Sequence, residues 1–189
     1  MMKKVIKRIL FRPRRVRLGE GSFIRLPRKI SGPQSLIVGE RTLVKGSLTV
    51  SCIKEYAGWK YDGAVTIGSD VYIGAFCQLH AIHHISIGDG SVLSDFVYIV
   101  DSAHGDFKPS EINIMQRELS SKGPISIGKN VFIGMGAIIM SGVSLGDNCV
   151  VGAGSVVTKS FPAFSMIGGS PAKLMKFYDS KTAKWIVDK

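Results

Sequence analysis

The sequence predicts an all-β fold, a left-handed parallel β-helix of hexapeptide repeats, and three observations carry that expectation. From residue 127 an aliphatic side chain recurs at every sixth position: Ile127, Ile133, Ile139, Leu145, Val151 and Val157. About a quarter of the 189 residues are Ile, Leu or Val, so six successive hits in one phase are not an accident of composition. Glycine follows four of the six (Gly128, Gly134, Gly146, Gly152), and two positions earlier stands a small or β-branched residue: Val131, Ala137, Val143, Cys149, Ser155. The same phase runs upstream through Ile67-Gly68, Ile73-Gly74 and Leu79-His80. It slips by two residues at His83-His84 and resumes at Ile87-Gly88, Leu93 and Ile99.

A period of six is neither the 3.6 of a helix nor the 2 of a simple strand. Three hexapeptides make one triangular turn, with the aliphatic residue on the axis, the small residue beside it and glycine near the corner. Val38-Gly39, Val44 and Val50 mark an earlier turn, and Leu18, Ile24 and Ile30 a further degenerate one. Residues 51 to 64, with Tyr56, Trp59 and Tyr61, break the repeat as an irregular turn or an outward loop. Such a prism has open ends, and a short C-terminal helix built on Ala172, Leu174, Met175, Phe177, Trp185 and Ile186 is expected to close one. The expected organisation is a basic N-terminal segment at 1–20, the β-helix domain at 21–170 with a loop at 101–124, and a helical tail at 171–189.

The charge is unevenly spread. Of 25 Lys and Arg side chains eleven lie within residues 1–29, against the single acid Glu20, leaving 14 basic and 13 acidic groups in a nearly neutral body. Arg12-Pro13-Arg14-Arg15 interrupts the short apolar pieces at Val5-Ile6 and Ile9-Leu10-Phe11, so the segment does not read as a secretory signal. Residues 1–17 suit either peripheral contact with an anionic membrane or a solvated arm packed on a neighbouring subunit. Nucleic acid is not the expected partner. Cys52, Cys77 and Cys149 are odd in number and form no CxxC pair, so a reducing, cytoplasmic location is the simpler reading.

The repeat stops after Ile99 and restarts at Gly123-Pro124-Ile125. A polar loop of that length inside so regular a solenoid points to function. It carries His104, the candidate general base, because a neutral imidazole near pH 7 suits removal of a proton from an attacking hydroxyl. Asp101 or Asp106 can hold the other ring nitrogen. A solvated loop histidine is the competing reading.

Residues 101 to about 176 resemble the hexapeptide-repeat sugar O-acetyltransferases, especially those that acetylate O-antigen, capsule or other cell-surface polysaccharides. The resembling pieces are Asp101-Ser102-Ala103-His104-Gly105-Asp106, Ser121-Lys122-Gly123-Pro124, Gly128 to Gly134, Gly152 to Lys159 and Gly169-Ser170-Pro171-Ala172-Lys173. The resemblance implies acetyl-CoA as co-substrate, no metal, His104 as catalytic base and a homotrimer with active sites between subunits. It also implies cofactor contacts from Met135 and Ala153 with the pantetheine and thioester, from Thr158 and Lys159 further along, and from Lys173 and Lys176 near the nucleotide phosphates. Phe132 stands where relatives often carry Trp. No acceptor-binding Asn precedes His104; His80, His83 and His84 occupy that region and are the candidate acceptor residues, or simply corner residues. Three other readings compete: an N-acyltransferase on an amino-sugar nucleotide, a zinc protein of the γ-type carbonic anhydrase kind, and a non-catalytic scaffold.

Overall fold

The computed structural model of the protein describes residues 15–105 and 108–187. Among the described residues the chain winds through six triangular coils, each made of three short strands. Coil one is Arg17–Leu18, Phe23–Ile24 and Lys29–Ser31; coil two is Leu36–Val38, Leu43–Val44 and Thr49–Cys52. Coil three is Ala64–Ile67, Tyr72–Ile73 and Gln78–Ala81; coil four is His84–Ile87, Val92–Leu93 and Tyr98–Val100. Coil five is Ile125–Ile127, Phe132–Ile133 and Ile138–Ile139; coil six is Ser144–Leu145, Val150–Val151 and Val156–Val157. The first, second and third strands of successive coils stack into three parallel sheets, the three faces of the prism. Rung pairs such as Ile73↔Leu93↔Ile133↔Val151 keep each aliphatic position directly above its counterpart.

That register explains the core. Ile67, Ile87, Ile127 and Leu145 line the axis from the first face, Ile73, Leu93, Ile133 and Val151 from the second, and Leu79, Ile99, Ile139 and Val157 from the third; all are buried. The residues two places earlier, among them Val71, Cys77, Val131, Ala137 and Cys149, fill the corners and are equally buried. The three cysteines are free, and burial pushes the Cys77 thiol up to about 11. Coil-to-coil contact is close at most glycines that follow the aliphatic residue. A Cβ on Gly128 would lie 2.5 Å from Asp147 Oδ1, and one on Gly134 would lie 2.6 Å from the Ala153 nitrogen. At the first of these the Asp147 carboxylate accepts the Lys129 N–H at 2.7 Å, so an acid in one coil caps the corner amide of the coil below.

The degenerate repeats from Leu18 to Val50 form coils one and two, and the β-helix begins at Arg17, paired with Ile37, rather than at residue 21. Residues 51–64 continue the third face to Cys52 and then leave it as an outward hairpin, Glu55–Tyr56 with Trp59–Lys60. The C-terminal helix is absent. After Phe161, which bridges to Leu145, the strand Ser165–Gly169 joins the second face, followed by an antiparallel hairpin of Ala172–Asp179 and Lys184–Val187. Alternation prevails there over helical spacing: Ala172 is buried and Leu174 packs on the core, while Lys173 and Met175 are exposed. The tail is therefore an extension of the second face, and it covers the end of the core as the helix was expected to. Among the described residues helical structure is confined to the single 3-10 turns Pro33–Ser35 and Ile114–Gln116, and no helix is long and apolar enough to cross a membrane.

The axial ladder makes a specific prediction. Ile99→Ala, which opens a cavity in coil four, should cost about 2–5 kcal/mol in chemical denaturation, whereas Ser126→Ala on the exterior should stay within about 0.5 kcal/mol.

Candidate active site

Two corners of the prism are short and regular; the third, where each coil passes from its third strand to the first strand of the next, carries every long insertion. Between coils two and three it holds the Glu55–Lys60 hairpin, between coils three and four the extra residues at Ile82 and His83, and between coils four and five residues 101–124. The last insertion opens as Ala103–His104 paired antiparallel with Leu119–Ser120, which presents the exposed His104 at the base of a polar loop. Its body is tied by Arg117, whose guanidinium donates to the carbonyls of Ile112, Lys108 and Ser110 at 3.0, 2.9 and 3.2 Å.

Asp101 is fully buried beneath this loop, and its carboxylate does not reach the imidazole. Oδ1 accepts the Ile82 N–H at 2.7 Å and Oδ2 the His83 N–H at 2.9 Å. The two-residue slip in the repeat leaves those amides without a strand partner, and the acid one coil above supplies both acceptors. Burial pushes the Asp101 carboxyl above its ordinary value, against the opposing pull of the two amides. Both Asp101 carboxylate oxygens accept backbone amides, and neither is hydrogen-bonded to His104. Asp106, the other acid considered, lies outside the described residues. Among the described residues no hydrogen bond joins His104 to a carboxylate.

What touches His104 is an aromatic residue. The Tyr56 ring lies 5.3 Å from the imidazole, tilted by 60°, and its hydroxyl donates to the Met115 carbonyl at 2.7 Å. Tyr61, just beyond the same hairpin, accepts the Leu119 N–H at 2.8 Å. The earlier insertion therefore clamps the later one at both ends. Between them lies a cavity of about 430 Å³ lined by Trp59, Gly105, Gln116, Glu118 and Ser120, among others. Sequence reasoning singled out Tyr56, Trp59 and Tyr61 only as misfits to the repeat. The partners of Tyr56 and Tyr61 are 48 to 59 residues away, and no local pattern announces them.

The three remaining histidines do not converge. His80 faces outward on the third face, with Nε2 3.2 Å from Gln78 Oε1 and its ring 5.5 Å from Tyr98. Burial first, and the Lys29 ammonium second, hold it below the ordinary imidazole value. His84 lies on the first face, with Nε2 2.9 Å from Thr66 Oγ1, and His83 is exposed at the corner between. No group of three His, Cys, Asp or Glu side chains is arranged to hold a metal among the described residues.

The cofactor candidates fall in three places. Met135 and Ala153 are exposed and stacked in consecutive coils at the corner between the second and third faces, where Gly154 N–H donates to the Met135 carbonyl at 2.8 Å. Thr158 and Lys159 belong to the corner that also bears His104, two coils further on, and the Lys159 ammonium sits 5.5 Å from the centre of the Phe161 ring. Lys173 and Lys176 pair with Gly168 and Met166 across an irregularity at Met175. That extra residue puts both lysines opposite positions of the same parity, so they share one face of the sheet. Within one chain, Met135 and Ala153 therefore stand at one edge of the third face and His104 at the other.

Fold and repeat define a hexapeptide-repeat protein of the left-handed β-helix class. A family model described as "Hexapeptide repeat of succinyl-transferase" matches residues 64–99 and 124–159. The sequence is 28% identical over 129 residues to a putative lipopolysaccharide biosynthesis O-acetyl transferase of Escherichia coli K12, covering 65% of each chain. It is 39% identical over 114 residues to nodulation protein L of Rhizobium meliloti, covering 60% of each. The chain thus spans less than two thirds of these relatives. Among solved structures the N-acyltransferase AntD of Bacillus cereus, in complex with dTDP and 3-hydroxybutyryl-CoA, superposes with a TM-score of 0.65 at 23% identity, covering 87% of this chain and 84% of that one. A galactoside acetyltransferase in complex with coenzyme A gives a TM-score of 0.51 at 23% identity, over 90% of this chain and 69% of that one. Likeness at that identity establishes the architecture, and the protein is a hexapeptide-repeat β-helix related in sequence to named acetyltransferases.

Asp101→Ala should lower stability by about 2–5 kcal/mol, because the buried Ile82 amide and the part-buried His83 amide lose their acceptors. The folded carboxyl titrates above its unfolded value of 3.8, so the site favours the native state most below that pH and loses ground as pH rises through the folded value. Asp101→Asn should flatten that slope in a stability–pH series. Tyr61→Phe should speed hydrogen exchange at the Leu119 amide and leave the axial strands as protected as before.

Proposed function

We propose that this chain is an acetyl-CoA-dependent O-acetyltransferase acting on a hydroxyl of a sugar in a cell-surface polysaccharide such as O-antigen or capsule. The observation that carries the reading is the position of His104. It is an exposed imidazole on the longest of the three insertions in the repeat, and a second insertion fastens it in place. The named acetyltransferases among the relatives supply the reaction class, and AntD and the galactoside enzyme supply examples of the same architecture holding coenzyme A.

In this reading the neutral imidazole accepts the proton of the acceptor hydroxyl as its oxygen attacks the thioester carbonyl. The tetrahedral adduct collapses with cleavage of the carbon–sulfur bond, and the imidazolium returns the proton to the departing thiolate. Such a base contributes about 10²–10⁴-fold. Tyr56 packs against the ring and limits its orientations, and Asp101 acts as a positioning residue by fixing the corner beneath the loop. The small Ala153 side chain and the exposed backbone at Met135 suit close approach of a pantetheine arm. The paired ammonium groups of Lys173 and Lys176 suit nucleotide phosphates.

The separation of these groups across the third face supports assembly as a homotrimer, in which the Met135 edge of one prism completes the His104 edge of its neighbour. The basic segment at 1–17, of which residues 1–14 lie outside the described residues, carries the further proposal of peripheral contact with an anionic inner membrane surface from the cytoplasm.

The test is acetyl transfer from acetyl-CoA to a panel of sugar acceptors. His104→Ala should lower turnover by at least about a hundredfold with coenzyme A affinity nearly unchanged. Equal turnover in that variant would remove His104 as the base, and transfer to an amino sugar but to no hydroxyl would replace the acceptor class.

A further inference from the structure

We propose that the acceptor is held as an oligosaccharide, with a sugar ring near the one being acetylated stacked on the indole of Trp59. The inference rests on the acetyltransferase reading above and adds to it a residue that binds a second ring of the chain.

The hairpin that carries Trp59 is rigid. Its two-residue turn places Ala57 and Gly58 at φ 48° and 85°, the left-handed pair that matches strand twist in a tight hairpin. Tyr56 and Trp59 are directly opposed across it and so project to the same side. Tyr56 touches the His104 ring, and Trp59 lines the adjoining cavity together with Gly105, the residue after His104. The indole is 47% exposed, although the hairpin is otherwise fixed by the Tyr56 and Tyr61 hydrogen bonds. Its aromatic surface therefore lies open beside the proposed reacting centre.

The rest of the lining identifies the ligand chemistry. Gln116 and Glu118 are exposed side chains that hydrogen-bond to nothing among the described residues, and both face the cavity. A pyranose presents an apolar C–H face, which meets the negative face of an indole, and a rim of hydroxyls, which needs amide and carboxylate partners. The cavity volume of about 430 Å³ lies within the range of small-ligand sites. A nucleotide could also stack on Trp59, but its diphosphate needs cationic donors. The cations on this lining are Lys108 and Arg117, whose guanidinium is committed to three loop carbonyls, and Glu118 adds negative charge. The open amide of Gln116 and carboxylate of Glu118 favour a saccharide over a nucleotide-linked sugar here.

Binding can be read without turnover. The 189-residue chain, Trp59→Ala and Trp59→Tyr should be compared on an array of mono- to hexasaccharides, with coenzyme A affinity measured in parallel. The native chain should retain at least one class of three or more rings more tightly than the matching monosaccharide. Trp59→Ala should weaken that binding by about tenfold or more, while Trp59→Tyr keeps most of it. Should the Ala variant lose its thermal transition, Gln116→Ala, which removes only an exposed amide, should still weaken the same glycans. No preference for longer chains, or equal binding by Trp59→Ala, would overturn the proposal. His104→Ala should abolish transfer yet bind these glycans normally, so failure of the catalytic reading and failure of this one are separate results.

Discussion

Coil stacking at a fixed rise governs this molecule. Each axial side chain sits directly above the one in the coil below, and corner glycines such as Gly68, Gly88, Gly128 and Gly134 lie so close to the next coil that a Cβ would collide with it. Such a column accepts no extra residue along its faces without shifting every rung beyond it. Material that does not fit the period of six must therefore leave at a corner. The two regular corners are closed by left-handed residues such as Asp70, Asn130 and Asn148 on one side and Phe76, Gly136 and Gly154 on the other. The third corner takes the surplus.

The cavity next to His104 lies at that corner for a physical reason. The column carries an open hollow on its first face, at Ser126, Ser144 and Ser160, whereas the cavity beside His104 is assembled from the ejected segments. Two insertions separated by two coils meet through the Tyr56 and Tyr61 hydroxyls, and the cavity beside His104 lies between them. The smallest insertion, at Ile82 and His83, would leave unpartnered amides, and the buried Asp101 satisfies them. A carboxylate that looks catalytic in the sequence is thus part of the foundation under the loop.

Much of the architecture was legible because the repeat writes the axial ladder directly: Ile67 through Val157 fall on the core in the expected phase, and even the weak run from Leu18 to Val50 forms complete coils. The tail was misread because Ala172, Leu174, Met175 and Phe177 fit a helical stripe as well as an interrupted alternation. An edge of the second face was waiting to pair with it, which a single sequence does not display. The candidate site was legible only in part. His104 stands out as the histidine in the long break, whereas the partners of Asp101 are backbone amides with no signature in side-chain identity. The aromatic clamp joins residues more than forty positions apart, and its members were visible only as departures from the repeat.

The confinement of every large insertion to one corner has an evolutionary consequence. The winding and the cleft-forming segments are separable parts of the sequence, so lineages can lengthen, shorten or exchange the two loops while the column beneath stays as it is. Diversification of ligand preference then proceeds by editing one edge of the prism, and the clamp between Tyr61 and Leu119 marks where the two edited pieces have to remain matched.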